Sequence, residues 1–216
     1  MTARGLFISK KSDAMEVRVL DDKTGLSVFP DQEFKGGDRL RIEIQTNFEG
    51  YVYIINLEIA NKNTNRFLLF PNPNESNKPK ADEPIVLPTT FDETPAIEIV
   101  QVIASHDRIG FLDSVLKGPS CSRDENRCKL DQMTAKRVAD LLGDTKSSSS
   151  QEIGGVFSKS GEQQKKDGMR PRGIILSQGK DKEDKSSYVA IPIDDSGTGR
   201  LKSGQLFAFE IRLKHL

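Results

Sequence analysis

Residues 39–56 read RLRIEIQTNFEGYVYIIN, and the fold class turns on them. In the first half Leu40, Ile42 and Ile44 alternate with Arg39, Arg41 and Glu43. Successive side chains of an extended chain point to opposite faces, so this period of two marks a strand with one face on a core and one in water. In the second half Tyr51 to Ile55 is apolar at every position, which fits a strand covered on both faces. Phe48-Glu49-Gly50 lies between them as a turn signal, and the two strands are expected to form a hairpin.

The same two patterns extend outward. Met15, Val17 and Val19 alternate with Glu16 and Arg18, and Phe207, Phe209, Ile211 and Leu213 alternate with charged or small residues. Phe67 to Phe70, Ile174 to Leu176 and Tyr188 to Ile191 are apolar on both faces. Gly36-Gly37-Asp38 and Pro71-Asn72-Pro73-Asn74 punctuate the strands, and Pro88 and Pro95 are read as bracketing a loop before Ile97 to Ala104. Half-apolar sheets need a second sheet to cover them, and helical crossovers are missing between the early strands. The expected fold is mainly β, an immunoglobulin-like antiparallel β-sandwich, as a single domain over residues 1–216.

One segment departs from this pattern. From about Gly118 to Arg172 the chain is polar, with Ser147 to Ser150 in a row and Gly154-Gly155 after them. Inside it Val138, Leu141 and Leu142 share a helical face, so one short helix is expected from about Met133 to Leu142. Asp131 or Thr134 is its candidate cap and Gly143 its stop. The segment reads as a long polar insertion with no second core, before C-terminal strands over 173–214.

Composition narrows the chemistry. Among 216 residues, 32 Lys and Arg balance 32 Asp and Glu, which argues against a whole surface built for nucleic acid or anionic membrane. Hydrophobic residues make up 35% and mean hydropathy is −0.51, so the core must be economical and the loops long. Two Cys and two His allow one zinc site at most and exclude multi-haem and most iron–sulfur arrangements. No stretch reaches the roughly 18 apolar residues of a membrane-spanning helix. The first residues hold no apolar run long enough for a secretory signal, so either the protein stays inside or Met1 replaces a removed signal.

Cys121 and Cys128 sit in a polar SCSRDENRCK stretch, while His106 and His215 lie in unrelated segments. A disulfide is therefore expected ahead of free thiols or a metal, and with it an oxidising compartment. Ser105-His106-Asp107 has the letters of a catalytic triad, but neighbours in extended chain diverge, whereas a triad converges on one point. Ser114 to Lys117 matches Ser-x-x-Lys and Lys23-Thr24-Gly25 matches Lys-Thr-Gly, in reversed order for penicillin-binding acyl-transferases and without their Ser-Asp-Asn. A loop serine and an exposed turn are expected.

Gly197-Thr198-Gly199 lacks the dinucleotide spacing. The acidic and amide loops at 72–77, 181–184 and 194–195 lack calcium-loop spacing and read as solvated turns. Lys165, Lys166, Arg170 and Arg172 form a basic cluster beside Glu162 and Asp167, and read as a solvated loop with local anion binding as the alternative. Asn74-Glu75-Ser76 is a formal glycosylation sequon. Tyr51, Tyr53, Phe67 and Phe70 fall on adjacent strands and are expected to pack in the core, with a ligand groove as the alternative.

Several stretches in order carry a resemblance. Phe34-Lys35-Gly36-Gly37-Asp38 leads into RLRIEIQTN, then Gly50 to Asn56, then Leu68-Leu69-Phe70-Pro71-Asn72, then Leu87-Pro88 and Ile97 to Ser105. This set, over about residues 34–105, resembles the bacterial domain of unknown function numbered 4384, and RGIILSQGKDK and FEIRLKHL resemble longer members. The resemblance implies envelope or secreted proteins, or modules beside caspase-like peptidases or serine/threonine kinases. It supplies no activity and no catalytic residues. Its motifs look structural: Gly36 and Gly37 for a tight turn, Asp38 for turn amides, Gly50 for the hairpin, and Asn56 and Asn72 for backbone groups at strand ends.

The expected function is a non-catalytic periplasmic or extracellular module for protein or ligand binding or assembly, with no cofactor, no metal, no nucleic acid and no membrane span. Self-association is expected at sheet edges or the insertion, because exposed edges pair with other chains. Two alternatives come from other classes. One is a cytoplasmic sensor that regulates a separate enzyme, and the other a hydrolase using Cys121, Cys128 or Ser114.

Overall fold

The structure, a computed structural model, describes residues 12–28, 32–61, 63–73, 77, 79–122, 127–142, 155–158, 187–190, 200–201 and 203–216. The described chain is mainly β. Four strands form one sheet in the order β11-β1-β3-β6: β1 (Met15–Asp21), β3 (Arg39–Thr46), β6 (Ile85–Thr90) and β11 (Ser187–Ala190). A larger sheet runs β10-β12-β7-β4-β5-β9-β8. It contains β4 (Tyr51–Ala60), β5 (Asn63–Phe70), β7 (Ala96–Ser105), β8 (Cys121–Ser122), β9 (Arg127–Lys129), β10 (Gly155–Ser158) and β12 (Gln205–His215). Among the described residues every pairing along both orders is antiparallel, and the short β2 (Glu33–Phe34) alone pairs parallel, with the end of β12.

Alternation explains the smaller sheet. Met15, Val17 and Val19 stand opposite Thr46, Ile44 and Ile42, so the inward faces of β1 and β3 match in register. These apolar side chains are buried against Val52, Ile54, Val100, Val102, Phe207 and Ile211 of the larger sheet. Outward, Arg18 pairs with Glu16 at 2.8 Å and Arg41 with Glu43 at 3.0 Å.

The doubly apolar run of β4 has a different cause. Val52 and Ile54 face the smaller sheet, while Tyr53 and Ile55 face the other way into a second cluster with Leu68, Ile103, Leu112, Cys128, Val138 and Leu142. That cluster lies under α1 (Gly110–Val115), the β8–β9 pair and α2 (Gln132–Leu142). The expectation of one core is corrected: the first part of the polar insertion supplies a third layer. Val138 and Leu142 of α2 are buried there, while Met133 is exposed. α2 has the expected cap, with Asp131 Oδ1 accepting from Thr134 N–H at 2.7 Å. Sequence reading missed α1, which is too short for a periodic signal.

Two further expectations are corrected. β3 and β4 form no hairpin, because β3 pairs with β1 and β6 while β4 pairs with β5 and β7. The Phe48-Glu49-Gly50 segment instead carries the chain from one sheet to the other. A Cβ on Gly50 would lie 2.5 Å from the Ser105 carbonyl oxygen and 2.7 Å from the Phe48 ring, so only glycine lets the crossing pass this close to the end of β7. Pro88 lies within β6, opposite Arg41, and not in a loop. Its missing N–H is tolerated because β6 is an edge strand.

The Gly36-Gly37-Asp38 turn precedes β3 as a locked loop. Asp38 Oδ2 accepts from Lys35 N–H at 2.9 Å, and Gly37 adopts a φ of 84°. A Cβ on Gly36 would meet the Asp92 carbonyl at 2.9 Å. Phe70 is buried in the inter-sheet core, the Phe70–Pro71 peptide bond is cis, and Asn72 follows in irregular chain.

Gly50→Ala is expected to lower the unfolding free energy by about 1–3 kcal/mol, since the backbone contact at Ser105 must give way. Urea denaturation checks this. An unchanged midpoint would show that the crossing does not need the close approach.

Candidate functional site

Tyr53 is the centre of a buried polar cluster. Its buried hydroxyl donates to Asp113 Oδ1 at 3.0 Å and accepts from Asn77 Nδ2 at 3.1 Å and from Ile109 N–H at 2.9 Å. Asn77 Nδ2 also reaches Asp113 Oδ1 at 2.7 Å, and the Asn77 carbonyl accepts from Val52 N–H at 3.0 Å. Asp113 Oδ2 takes no well-directed hydrogen bond, and Arg108 Nε answers it as a charge at 3.0 Å. The Arg108 guanidinium in turn lies 5.3 Å from the centre of the Tyr51 ring.

Burial, aided by the facing Asp113 carboxylate, holds the Tyr53 phenol well above the usual tyrosine range, against the opposing effect of the Ile109 N–H. Such a phenol stays neutral, a fixed donor that ties the loop around Asn77 and helix α1 to β4. Tyr53→Phe is expected to cost about 1–3 kcal/mol, because Asp113, Asn77 and the Ile109 N–H lose a shared partner. The sign of the pH effect follows from the upward shift. The stability due to neutral Tyr53 is complete below its ordinary value of 10.0 and is lost as pH rises beyond it. Urea midpoints measured into the alkaline range should fall in the wild type and fall less in Tyr53→Phe.

The Ser105-His106-Asp107 letters come apart in space. Ser105 Oγ donates to the Gln205 carbonyl at 3.2 Å and accepts from Asp107 N–H at 3.0 Å. Asp107 Oδ2 accepts from Gly204 N–H at 2.6 Å and from Ser203 Oγ at 3.0 Å, and these bonds hold its carboxyl below the usual range. His106 Nε2 lies 2.9 Å from Asp13 Oδ2 and its Nδ1 lies 3.2 Å from the Glu49 carbonyl. Both ring nitrogens thus face acceptors. Asp13 Oδ2 also accepts from Leu201 N–H at 2.8 Å, so one carboxylate clasps the start of β1, the end of β7 and the approach to β12.

The other chemical candidates are likewise engaged locally. Asp21 Oδ1 accepts from Lys23 N–H, Thr24 N–H and Thr24 Oγ1 within 3.0 Å, which makes Lys23-Thr24-Gly25 a tight turn. Ser114 Oγ donates to the Phe111 carbonyl at 2.7 Å. Of the four aromatics, Tyr53 and Phe70 are buried, while Tyr51 and Phe67 are half-buried and each carries an arginine, Arg127 lying 4.6 Å from the Phe67 ring centre.

Asn56 lies in mid-strand, and its Nδ2 donates to Glu98 Oε2 at 2.5 Å instead of serving a strand end. Glu98 stands directly opposite Glu58. Burial raises the Glu98 carboxyl, the Asn56 bond opposes that, and Glu58 and Asp92 raise it further. An upward-shifted acid adds stability below its ordinary pKa of 4.5 and loses it as pH rises. Glu98→Gln is therefore expected to stabilise the protein at neutral pH and to leave it unchanged in acid, which thermal unfolding at two pH values checks.

Cys121 and Cys128 are opposite one another on β8 and β9 and form a disulfide, with Cα atoms 3.9 Å apart. Cys128 is wholly buried in the second cluster, and the bond staples the paired strands β8 and β9 at the edge of the larger sheet. Next to it opens a cavity of about 420 Å³, bounded by Thr64, Asn65 and Arg66 of β5, by Lys129 and Leu130, and by the first turn of α2 up to Lys136. Arg66 Nη1 donates to the Ala135 carbonyl, its Nε is buried without a partner, and burial lowers the guanidinium, with Glu210 opposing.

Sequence reading did not find Asn77, Asp113, Asp13 or Arg66. Each is a single polar residue in a loop, short helix or strand, and its partner lies 24 to 188 positions away. The basic cluster at 165–172, the strand at 174–176, the sequon at 74–76, Gly197-Thr198-Gly199 and the acidic loops at 181–184 and 194–195 lie outside the described residues. Among the described residues no group of three or more His, Cys, Asp or Glu is placed to hold a metal, and no helix is long and apolar enough to cross a membrane. No family model, no curated protein and no solved structure matches the chain.

Proposed function

We propose that this chain is a non-catalytic module of the immunoglobulin-like β-sandwich kind that binds a ligand or protein partner in an oxidising, extracytoplasmic compartment. The Cys121–Cys128 disulfide carries the reading. Such bonds persist where thiols are not kept reduced. This one staples the β8–β9 edge of the larger sheet near an open cavity, which favours a rigid binding surface. The commitment of Ser105, His106, Asp107 and Ser114 to structural hydrogen bonds supports a non-catalytic role, since a nucleophile needs a free base beside it. The resemblance of residues 34–105 to the bacterial domain numbered 4384 agrees with an envelope or secreted setting.

Trapping of thiols in living cells, followed by intact mass, tests the compartment. The bond is expected to be closed in the cell, and Cys121 and Cys128 found as free thiols there would overturn the reading. Labelling by serine- or thiol-directed activity probes would overturn the non-catalytic role. Removing the bond in Cys121→Ser/Cys128→Ser is expected to cost about 2.5 kcal/mol, from the entropy of the loop it closes. Thermal unfolding with and without reductant reads that loss.

A further inference from the structure

We propose that the cleft between the free edge of β5 and the first turn of α2 is a binding site for a phosphate monoester on a small molecule. The backbone makes the cleft. β9 pairs with β5 only at Phe67 and Leu68, and the last bond across this edge runs from Leu130 N–H to the Arg66 carbonyl at 2.8 Å. The chain then leaves the sheet and starts α2 at Gln132. By the alternation of the ladder, the N–H and C=O of Thr64 face the same edge as the Arg66 carbonyl, past the point where β9 ends.

Charge decides the ligand. Three cations line the cleft, Arg66, Lys129 and Lys136, against the single carboxylate of Asp131. That carboxylate is turned to the helix, where it accepts from Thr134 N–H at 2.7 Å. α2 has no acidic residue in its first turn, so the positive end of its dipole adds to the three side chains. The guanidinium of Arg66 forms the back wall, half-buried and held by the Ala135 carbonyl, with Nε unpartnered.

An excess of two positive charges matches a phosphate monoester, which carries about −1.5 to −2 at neutral pH. The volume of about 420 Å³ suits a small molecule, and the hydroxyl of Thr64 and the side-chain oxygen of Asn65, whose Nδ2 donates to Glu58 at 3.3 Å, suit a hydroxylated carrier. This inference rests on the binding-module reading but not on the compartment.

The test is an NMR titration of the full chain, disulfide closed, with glucose 6-phosphate, inorganic phosphate and glucuronate as separate probes. Glucose 6-phosphate should shift backbone signals at 64–66 and 129–136, with affinity that falls as salt is raised. Inorganic phosphate should bind at the same place, and glucuronate, a monoanion, more weakly. Lys129→Gln/Lys136→Gln changes two exposed side chains, so the fold should persist, and affinity should drop by about tenfold or more.

No shift with glucose 6-phosphate, unchanged affinity in the double variant, or glucuronate binding as tightly would each overturn the site. Selective binding of a single-stranded oligonucleotide in place of the sugar phosphate would also overturn it. These failures leave the thiol state in cells untouched, so they are separable from a failure of the compartment reading.

Discussion

β4 and β7 pair from Tyr51 opposite Ser105 to Ile59 opposite Ile97, and the part of this ladder from Val52 opposite Ala104 to Ile54 opposite Val102 is apolar on both faces. Val52, Ile54, Val102 and Ala104 point to one side, and Tyr53, Ile55 and Ile103 to the other. A sheet with two dry faces is stable only when both are covered. The smaller sheet covers one. Helices α1 and α2, with the disulfide-linked β8–β9 pair, cover the other. The long polar stretch after residue 118 is therefore an obligation of the central strand as much as an addition to it.

Covering a sheet with loops and short helices brings polar groups indoors, and each needs an answer. Tyr53 is the solution on the helical side. Its ring fills the apolar layer while its hydroxyl collects Asp113, Asn77 and the start of α1. On the larger sheet Gln101 Nε2 donates to Glu210 Oε1 at 2.5 Å across β7 and β12, and Asn56 answers Glu98 across β4 and β7. The second pair has a cost that the first does not share, because Glu98 also stands opposite Glu58.

Much of this plan is legible in the sequence, and the limits have a physical source. Alternation in β1, β3 and β12 reports which face is wet, so those strands read clearly. α2 and its Asp131 cap read from periodicity and capping chemistry, and the cysteine pair from its spacing and polar surroundings. Alternation does not report which strand lies alongside, so β3 and β4 looked like a hairpin although they belong to different sheets. The signal that warns of this is Gly50, whose role is a close backbone approach and not a turn. The Tyr53 cluster was half visible. Tyr53 stood out by its neighbours, but Asn77 and Asp113 carry no local pattern, and only the fold brings them within 3.1 Å.

The edges of the two sheets bear on how the molecule can meet a partner. β6 carries Pro88, which removes a donor, and β8, β10 and β11 are only two to four residues long. Short or proline-bearing edges are poor templates for an added strand. Assembly by strand pairing, the first expectation for such a fold, is thus disfavoured at each of these places. Among the described residues, the rim of the larger sheet is left unpaired along β12 between its pairings with β10 and β2, and along β5 beyond β9; at β5 the neighbouring side chains are cations around a cleft, not an apolar strip. A partner strand would have to bury Arg66, Lys129 and Lys136 together, whereas a compact anion gains from all three at once. The same break in pairing that exposes an edge therefore selects a small charged ligand over another polypeptide.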